Sequence, residues 1–220
     1  DSSEIVKMAM AIDLELGQFA SHVSANFTYK VETQPGSVTS CEHDEGNFCH
    51  YQGTYHIYQS IWSCNIWNNY RYTRILVNSM ILTHLRSMAS SGHQVLDYGL
   101  FKDHCIRIRD LMRQLATDIC CSIPFKFGVA GFDKKDVYDS LHTHAGTGFT
   151  LLLPLAMAAL VGGVSSPMHN WAMRCFNVIG RGMGIGTAST LVTVLGNEPG
   201  GLHWIDAMES GHTVCSRAVL

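Results

Sequence analysis

Between Thr54 and Met88 the chain contains neither glycine nor proline. A stretch that long without a backbone breaker has few ways to fold other than as a helix. Apolar residues recur three and four apart within it, at Ile57, Ile61, Cys64, Trp67, Tyr70, Val77, Ile81 and Leu85, which is the helical period. Trp62, Ile66 and Leu76 fall on other faces. The spacing therefore predicts one long helix over Tyr55–Met88, apolar nearly all round and buried at the centre of the fold. Asn68, Asn69, Arg71 and Arg74 lie in mid-helix, where helix propensity gives no reason for them. Buried polar groups need hydrogen-bond partners, so these four are expected to form a polar seam. Arg71 and Arg74 lie one turn apart, and Asp110 and Asp118 are their expected partners on a neighbouring helix.

The remaining elements follow from the same signals. Ile5, Met8, Ile12, Leu16, Phe19 and Val23 form one stripe on a first amphipathic helix over Ser3–Val23. A third helix over Tyr98–Phe127 presents Phe101, Cys105, Ile108, Met112, Leu115, Ile119 and Ile123. Phe149–Val161 is almost pure hydrocarbon around Pro154. It falls short of the roughly 20 apolar residues that cross a bilayer, so it reads as a buried, kinked core helix. Ser166-Pro167 is a cap followed by a first-turn proline, opening a helix through Met168, Trp171, Cys175 and Ile179. The glycines of Gly180–Gly186 mark a turn before a short helix, Thr187–Leu195. Long loops are expected at about 26–54 and 128–148, and no segment alternates convincingly as a strand. The expectation is an all-α single domain over residues 1–220, a bundle of about five to seven helices around one long central helix.

Composition narrows the function. Hydrophobic residues make up 46% and charged residues 15%, with a formal net charge of −3. That suits a large core and gives no clustered basic surface of the kind nucleic acid requires. Neither nucleic acid nor membrane is an expected partner. The eight cysteines include no Cys-x-x-Cys pair, and Cys64, Cys105, Cys120 and Cys175 fall on apolar helical stripes. They read as small buried thiols in an intracellular compartment, cytoplasm or nucleus.

No nucleophile elbow, phosphate loop or zincin motif is present. The alternating glycines of Gly180–Gly186 follow no strand and read as a helix-to-helix turn. Cys41–His50 holds many metal-ligand types at no standard zinc spacing, so no metal and no cofactor are expected. Asp139, His142 and His144 could serve as acid–base groups, as could His104 beside the core stripe of the third helix. A cavity is expected between the central helix, the third helix and the kinked segment. His104, His142, His144 and Tyr70 would be its catalytic groups, and Trp62, Trp67, Arg74 and Trp171 its ligand-binding walls.

The words IWNNYRYTRILVN (66–78), ATDICCSIPFKFG (116–128) and FTLLLPLAMAA (149–159) resemble, in that order, the C-terminal regulatory region of fungal zinc-cluster transcription factors. The resemblance spans roughly Ile5 to Leu195, corresponds to the later portion of the family domain, and lacks the six-cysteine DNA-binding module. It implies a helical body that senses small effectors or keeps an activation segment in check. Two readings follow. The one favoured by the missing zinc cluster and the shortened family domain is a scaffold recruited to a hydrophobic secondary metabolite, acting as a cofactor-independent cyclase or isomerase. The other is a ligand-sensing regulatory domain without catalysis. A hydrophobic small molecule is the expected partner in both, with a homodimer left open.

Overall fold

The computed structural model describes residues 2–23, 27–33, 50–90, 98–127, 145–196 and 202–210. Seven helices and one two-stranded sheet make up these residues, and the fold is an all-α single domain. In chain order they are α1 (Ser2–Ser21), β1 (Tyr29–Thr33), β2 (Thr54–Tyr58), α2 (Ile61–Ser90), α3 (Tyr98–Lys126), α4 (Ala145–Gly162), α5 (Pro167–Met183), α6 (Gly186–Leu195) and α7 (His203–Glu209).

The long helix starts six residues later than its lack of breakers suggests. Ser60 caps it: its Oγ accepts from the Ser63 amide at 3.1 Å, and its carbonyl accepts from the Cys64 amide, the usual arrangement at a helix start. Upstream, Thr-Tyr-His-Ile-Tyr is rich in β-branched and aromatic residues and forms β2. It pairs antiparallel with β1 from Tyr29 opposite Tyr58 to Thr33 opposite Thr54. Gln52 and Gly53 both have positive φ, 52° and 72°, and Tyr51 bridges Thr54 across them. Two consecutive positive φ values define the tight turn that suits strand twist. A strand therefore replaces the expected first turn and a half of helix. Hydropathy hid it because the strand turns His56 and Tyr58 inward and leaves Ile57 half-exposed.

α3 matches its expected span, and it shares the centre of the bundle with α2. It packs on α2, on α4 and on β2, and it buries Ile119, Cys120, Ser122 and Ile123 completely. α4 begins at Ala145, inside the expected loop. Gly148 in its first turn lets α4 approach the end of α5: a Cβ there would meet Met183 Sδ at 2.5 Å. α5 opens as expected, with Ser166 Oγ accepting from the His169 amide at 3.0 Å and Pro167 in the first turn. It runs through Gly180 and Gly182 and ends only at Gly184, whose φ of 69° is left-handed. The alternating glycines thus span a helix end, the turn and the start of α6. α7 has no counterpart among the expected elements. No described helix is long and apolar enough to cross a membrane.

α1 is rotated relative to expectation. Val6 and Ala9 are its buried residues, followed along the same face by Asp13, whereas Ile5, Met8, Ile12 and Phe19 are exposed. The polar contact decides the rotation. Asp13 accepts from Arg74 Nε at 2.7 Å and from Arg74 Nη2 at 3.2 Å, and from Asn78 Nδ2 at 2.6 Å. Arg74 therefore pairs with α1. Asp110 pairs with Arg109, its sequence neighbour, and Asp118 accepts from Gln114. A half-buried charge with two partners outweighs the burial of two or three aliphatic side chains on a peripheral helix. Asp13→Ala should lower stability by about 2 kcal/mol in urea titrations. Amide exchange should rise across Ser2–Ser21 while α3 to α5 keep their protection; unchanged protection in α1 would show that the pair does not anchor it.

Candidate functional site

The polar seam exists, and it is the most chemically unusual place in the described structure. Arg71 is 1% exposed. Its Nη1 donates to Tyr58 Oη at 2.6 Å and to Asn68 Oδ1 at 3.1 Å, and its Nη2 lies 3.4 Å from His56 Nδ1. The guanidinium carbon stands 5.0 Å from the Tyr29 ring centroid, 5.6 Å from Trp67 and 5.9 Å from Tyr58, within cation–π range of all three. No carboxylate makes a salt bridge with it among the described residues; Asp118 is the acidic group that acts on it through space. Asn69, assigned to the seam with the others, is exposed.

The seam continues onto α3 and α4. Asn68 Nδ2 donates to Ser122 Oγ at 2.9 Å, and Ser122 Oγ donates to the Ile119 carbonyl at 2.6 Å. Cys64 Sγ lies 4.0 Å from the Ser122 carbonyl. One turn further along α3, Lys126 is 2% exposed, and its Nζ donates to Thr150 Oγ1 on α4 at 2.7 Å. Burial lowers Lys126 to about 8, with Cys64 opposing the shift. It raises Cys64 to about 11 despite Lys126 and Arg71 nearby. Burial first, and then Arg71, lowers His56 to about 3, so its ring is neutral. The tautomer that fits has Nδ1 unprotonated, accepting from Tyr58 Oη at 3.1 Å. Burial raises Tyr58, and Arg71 opposes that rise. The thiol and the phenol stay protonated at neutral pH, which makes both poor nucleophiles.

The nominated catalytic set does not assemble around this seam. His104 is half-buried near the start of α3, about 27 Å along the helix from Ser122 at 1.5 Å per residue. Burial and Arg107 lower its pKa. Tyr70 is buried, and its hydroxyl accepts from Arg74 Nη1 at 2.9 Å. His142 and His144 lie outside the described residues. Of the nominated walls, Trp67 and Arg74 gather on Tyr70, the first edge-on at 5.6 Å between ring centroids and the second through its hydrogen bond; Trp62 and Trp171 are placed differently. Trp62 is 69% exposed; Trp67 Nε1 donates to the Phe27 carbonyl at 2.6 Å; Trp171 packs edge-on against Tyr51 at 5.5 Å; Arg74 is held by Asp13. Where α2, α3 and α4 meet, Lys126 reaches Thr150, and Leu151 and Leu155 are fully buried. His56, Tyr58, Ser122 and Lys126 were missed. The alternation of β2 and the continuation of the α3 core stripe from Ile119 through Ile123 to Lys126 were the signals available.

A cavity of about 320 Å³ opens elsewhere. It is lined by Arg113 of α3, by the α4–α5 turn from Val161 to Val164, and by Leu202, His203 and Asp206 at α7. Its rim is ionic: Arg113 Nη2 bonds Asp206 at 2.8 Å, and the buried Arg109 bonds both Asp206 and Glu209. Its floor is apolar, with Val161 and Leu202 buried. Among the described residues no three His, Cys, Asp or Glu side chains converge on a metal-sized site. Of the Cys41–His50 segment only His50 is described. Cys64, Cys105, Cys120 and Cys121 are buried free thiols, and Cys175 is buried as well. No protein-family model, curated protein or solved structure matches the chain.

The neutral His56 carries a pH dependence with a definite sign. Its folded pKa lies below its unfolded one, so its contribution is complete above about pH 6.5 and is lost as pH falls toward 3. The slope is about 1.4 kcal/mol per pH unit. Between pH 7.5 and 5.0 this group alone should remove about 2 kcal/mol of stability. In His56→Gln, urea titration should find a shallower loss over that interval; equal losses in both proteins would place the effect elsewhere.

Proposed function

We propose that this chain is a regulatory helical module that senses a small apolar molecule, of the kind found in the C-terminal region of fungal zinc-cluster transcription factors, and that it carries out no catalysis. One observation supports this reading above others. The three sequence words that carry the resemblance lie far apart in the chain, yet their polar residues meet along one seam that runs from the buried Arg71 out to Thr150. Asn68 and Arg71 come from the first, Ser122 and Lys126 from the second, and Thr150 from the third, joined at 2.9 Å between Asn68 and Ser122 and at 2.7 Å between Lys126 and Thr150. The position of His104, far along α3 from Tyr70 and Trp67, argues in the same direction, because acid–base catalysis needs its groups within reach of one substrate.

The cavity beside α7 is where the apolar molecule would sit. Its volume of about 320 Å³ is at the lower end of the range for small-molecule sites, and an apolar floor with a few polar rim groups is their common composition. The catalytic reading, a cofactor-independent cyclase or isomerase acting on a secondary metabolite, keeps one group in its favour. Lys126 is an amine able to lose its proton at about pH 8, as catalytic lysines do.

Thermal-shift screening against a panel of apolar metabolites, with recovery of each compound afterwards, tests both. The expected outcome is a compound that raises the melting temperature and is recovered unchanged. Val164→Trp, which fills the cavity from its half-open rim, should abolish that shift. A compound recovered as a new isomer or ring product would establish the catalytic reading, and a shift indifferent to Val164→Trp would move the site.

A further inference from the structure

The exposed side of α2 carries no charge. Its exposed residues are Ile61, Trp62, Asn69, Leu76, Met80, Thr83, Ser87, Ala89 and Ser90. Its three arginines point elsewhere: Arg71 into the core, Arg74 to Asp13 and Arg86 over the Trp204 ring. A helix this long on an ordinary protein surface alternates charge along its outer face. This one does not.

α1 extends the same face. It runs antiparallel to α2, with Ser2 beside His84, Asp13 beside Arg74 and Asn78, and Phe19 beside Tyr70. At 100° per residue, Ile5, Met8, Ile12 and Phe19 form a stripe about a quarter turn from the inward line of Val6, Ala9 and Asp13. Trp62 and Met80 stand about as far round α2 from Arg74. Both helices are right-handed and run in opposite directions, so the two flanks turn to the same side and border one shallow groove. Exposures on that side are 37% for Ile5, 62% for Met8, 46% for Ile12 and Phe19, 69% for Trp62, 41% for Leu76 and 50% for Met80. With ordinary side-chain areas these amount to roughly 700 Å² of apolar surface. The largest patch on a typical monomer is about 300–600 Å².

We propose that this α1–α2 face is the interface of a symmetric homodimer. The area is what selects a second copy. A stable pairwise interface takes about 800 Å² from each partner, and the apolar residues nearly supply that before any rim is counted. The charge pattern fits the same occupant. A two-fold contact sets the same patch against itself, so any charge at its centre would meet its own copy. The centre here holds only neutral side chains, while Glu4 and Glu15 of α1 lie toward its outer edge, where interface rims are polar. Asp13, the acidic group nearest the centre, is already neutralised by Arg74. The inference is independent of the ligand reading, since the α7 cavity shares no residue with this face.

Sedimentation velocity on the 220-residue chain, across a concentration series reaching about 100 µM, provides the test. The chain should sediment as a dimer, and Met80→Glu and Met8→Glu should each shift it to monomer. Both positions are exposed, so the helical circular-dichroism signal and the urea midpoint of the variants at low protein concentration should match the native chain. A native chain that stays monomeric throughout, one that forms open-ended oligomers, or a dimer that survives both substitutions would overturn the proposal.

Discussion

Arg71 is the group on which the other packing decisions depend. A guanidinium cannot discard its charge to enter a core, as a lysine or carboxyl can, so the fold has to surround it. The surroundings come from four places. β2 brings Tyr58 and His56, β1 brings the Tyr29 face, α2 itself brings Asn68 and Trp67, and α3 orients Asn68 through Ser122. The two-stranded sheet makes sense in these terms. A lone hairpin is marginal in water, and this one is held because its inward side chains complete the shell of a cation on α2. His56 has to stay neutral for the same reason, since a second positive charge against Arg71 would oppose the first.

Lys126 meets a similar problem by a different route. Its ammonium donates to Thr150 Oγ1 at 2.7 Å, where Arg71 has a shell of acceptors and rings. An amine can relieve poor solvation by letting its pKa fall, and Lys126 falls to about 8. The two cations therefore impose unequal demands. Arg71 dictates geometry over a hairpin and two helices, whereas Lys126 requires only that α4 place a hydroxyl above the last turn of α3. This matches the division between them: the α2–α3 contact is polar at its heart, and the α3–α4 contact is mainly hydrocarbon, with Leu151 and Leu155 fully buried.

The sequence was most legible where local and tertiary forces agree. α3, α5 and α6 fall close to their expected spans because an apolar stripe, a Ser-Pro cap and a left-handed glycine each act within a few residues. The seam was legible too, since polar residues in mid-helix have no local reason to be there. Three things were not. β2 escaped because its inward residues are His56 and Tyr58, so the alternation runs against hydropathy, and only Ser60 marks the boundary. The rotation of α1 escaped because a stripe of Ile5, Met8, Ile12 and Phe19 outweighs one aspartate on any periodicity count, although Asp13 with Arg74 and Asn78 decides it. The candidate site was the least legible, because whether His104 and Tyr70 share a site depends on the antiparallel pairing of α2 with α3. Asn68 opposite Ser122 fixes that pairing and sends His104 toward the far end.

That pairing also bears on what kind of protein this is. Four reactive groups among the described residues, Cys64, Tyr58, His56 and Lys126, gather around the seam, and burial moves each toward its uncharged form. A thiol and a phenol raised by burial are poor nucleophiles, and a neutral histidine bonded to Tyr58 is committed to its neighbours. Catalytic sites reverse this arrangement, keeping shifted groups at the wall of a cleft where substrate reaches them. Here the concavity by α7 and the uncharged α1–α2 face hold none of the shifted residues of the seam. The chemistry of the core thus serves to hold one fold together, because each of these groups satisfies a neighbour inside it.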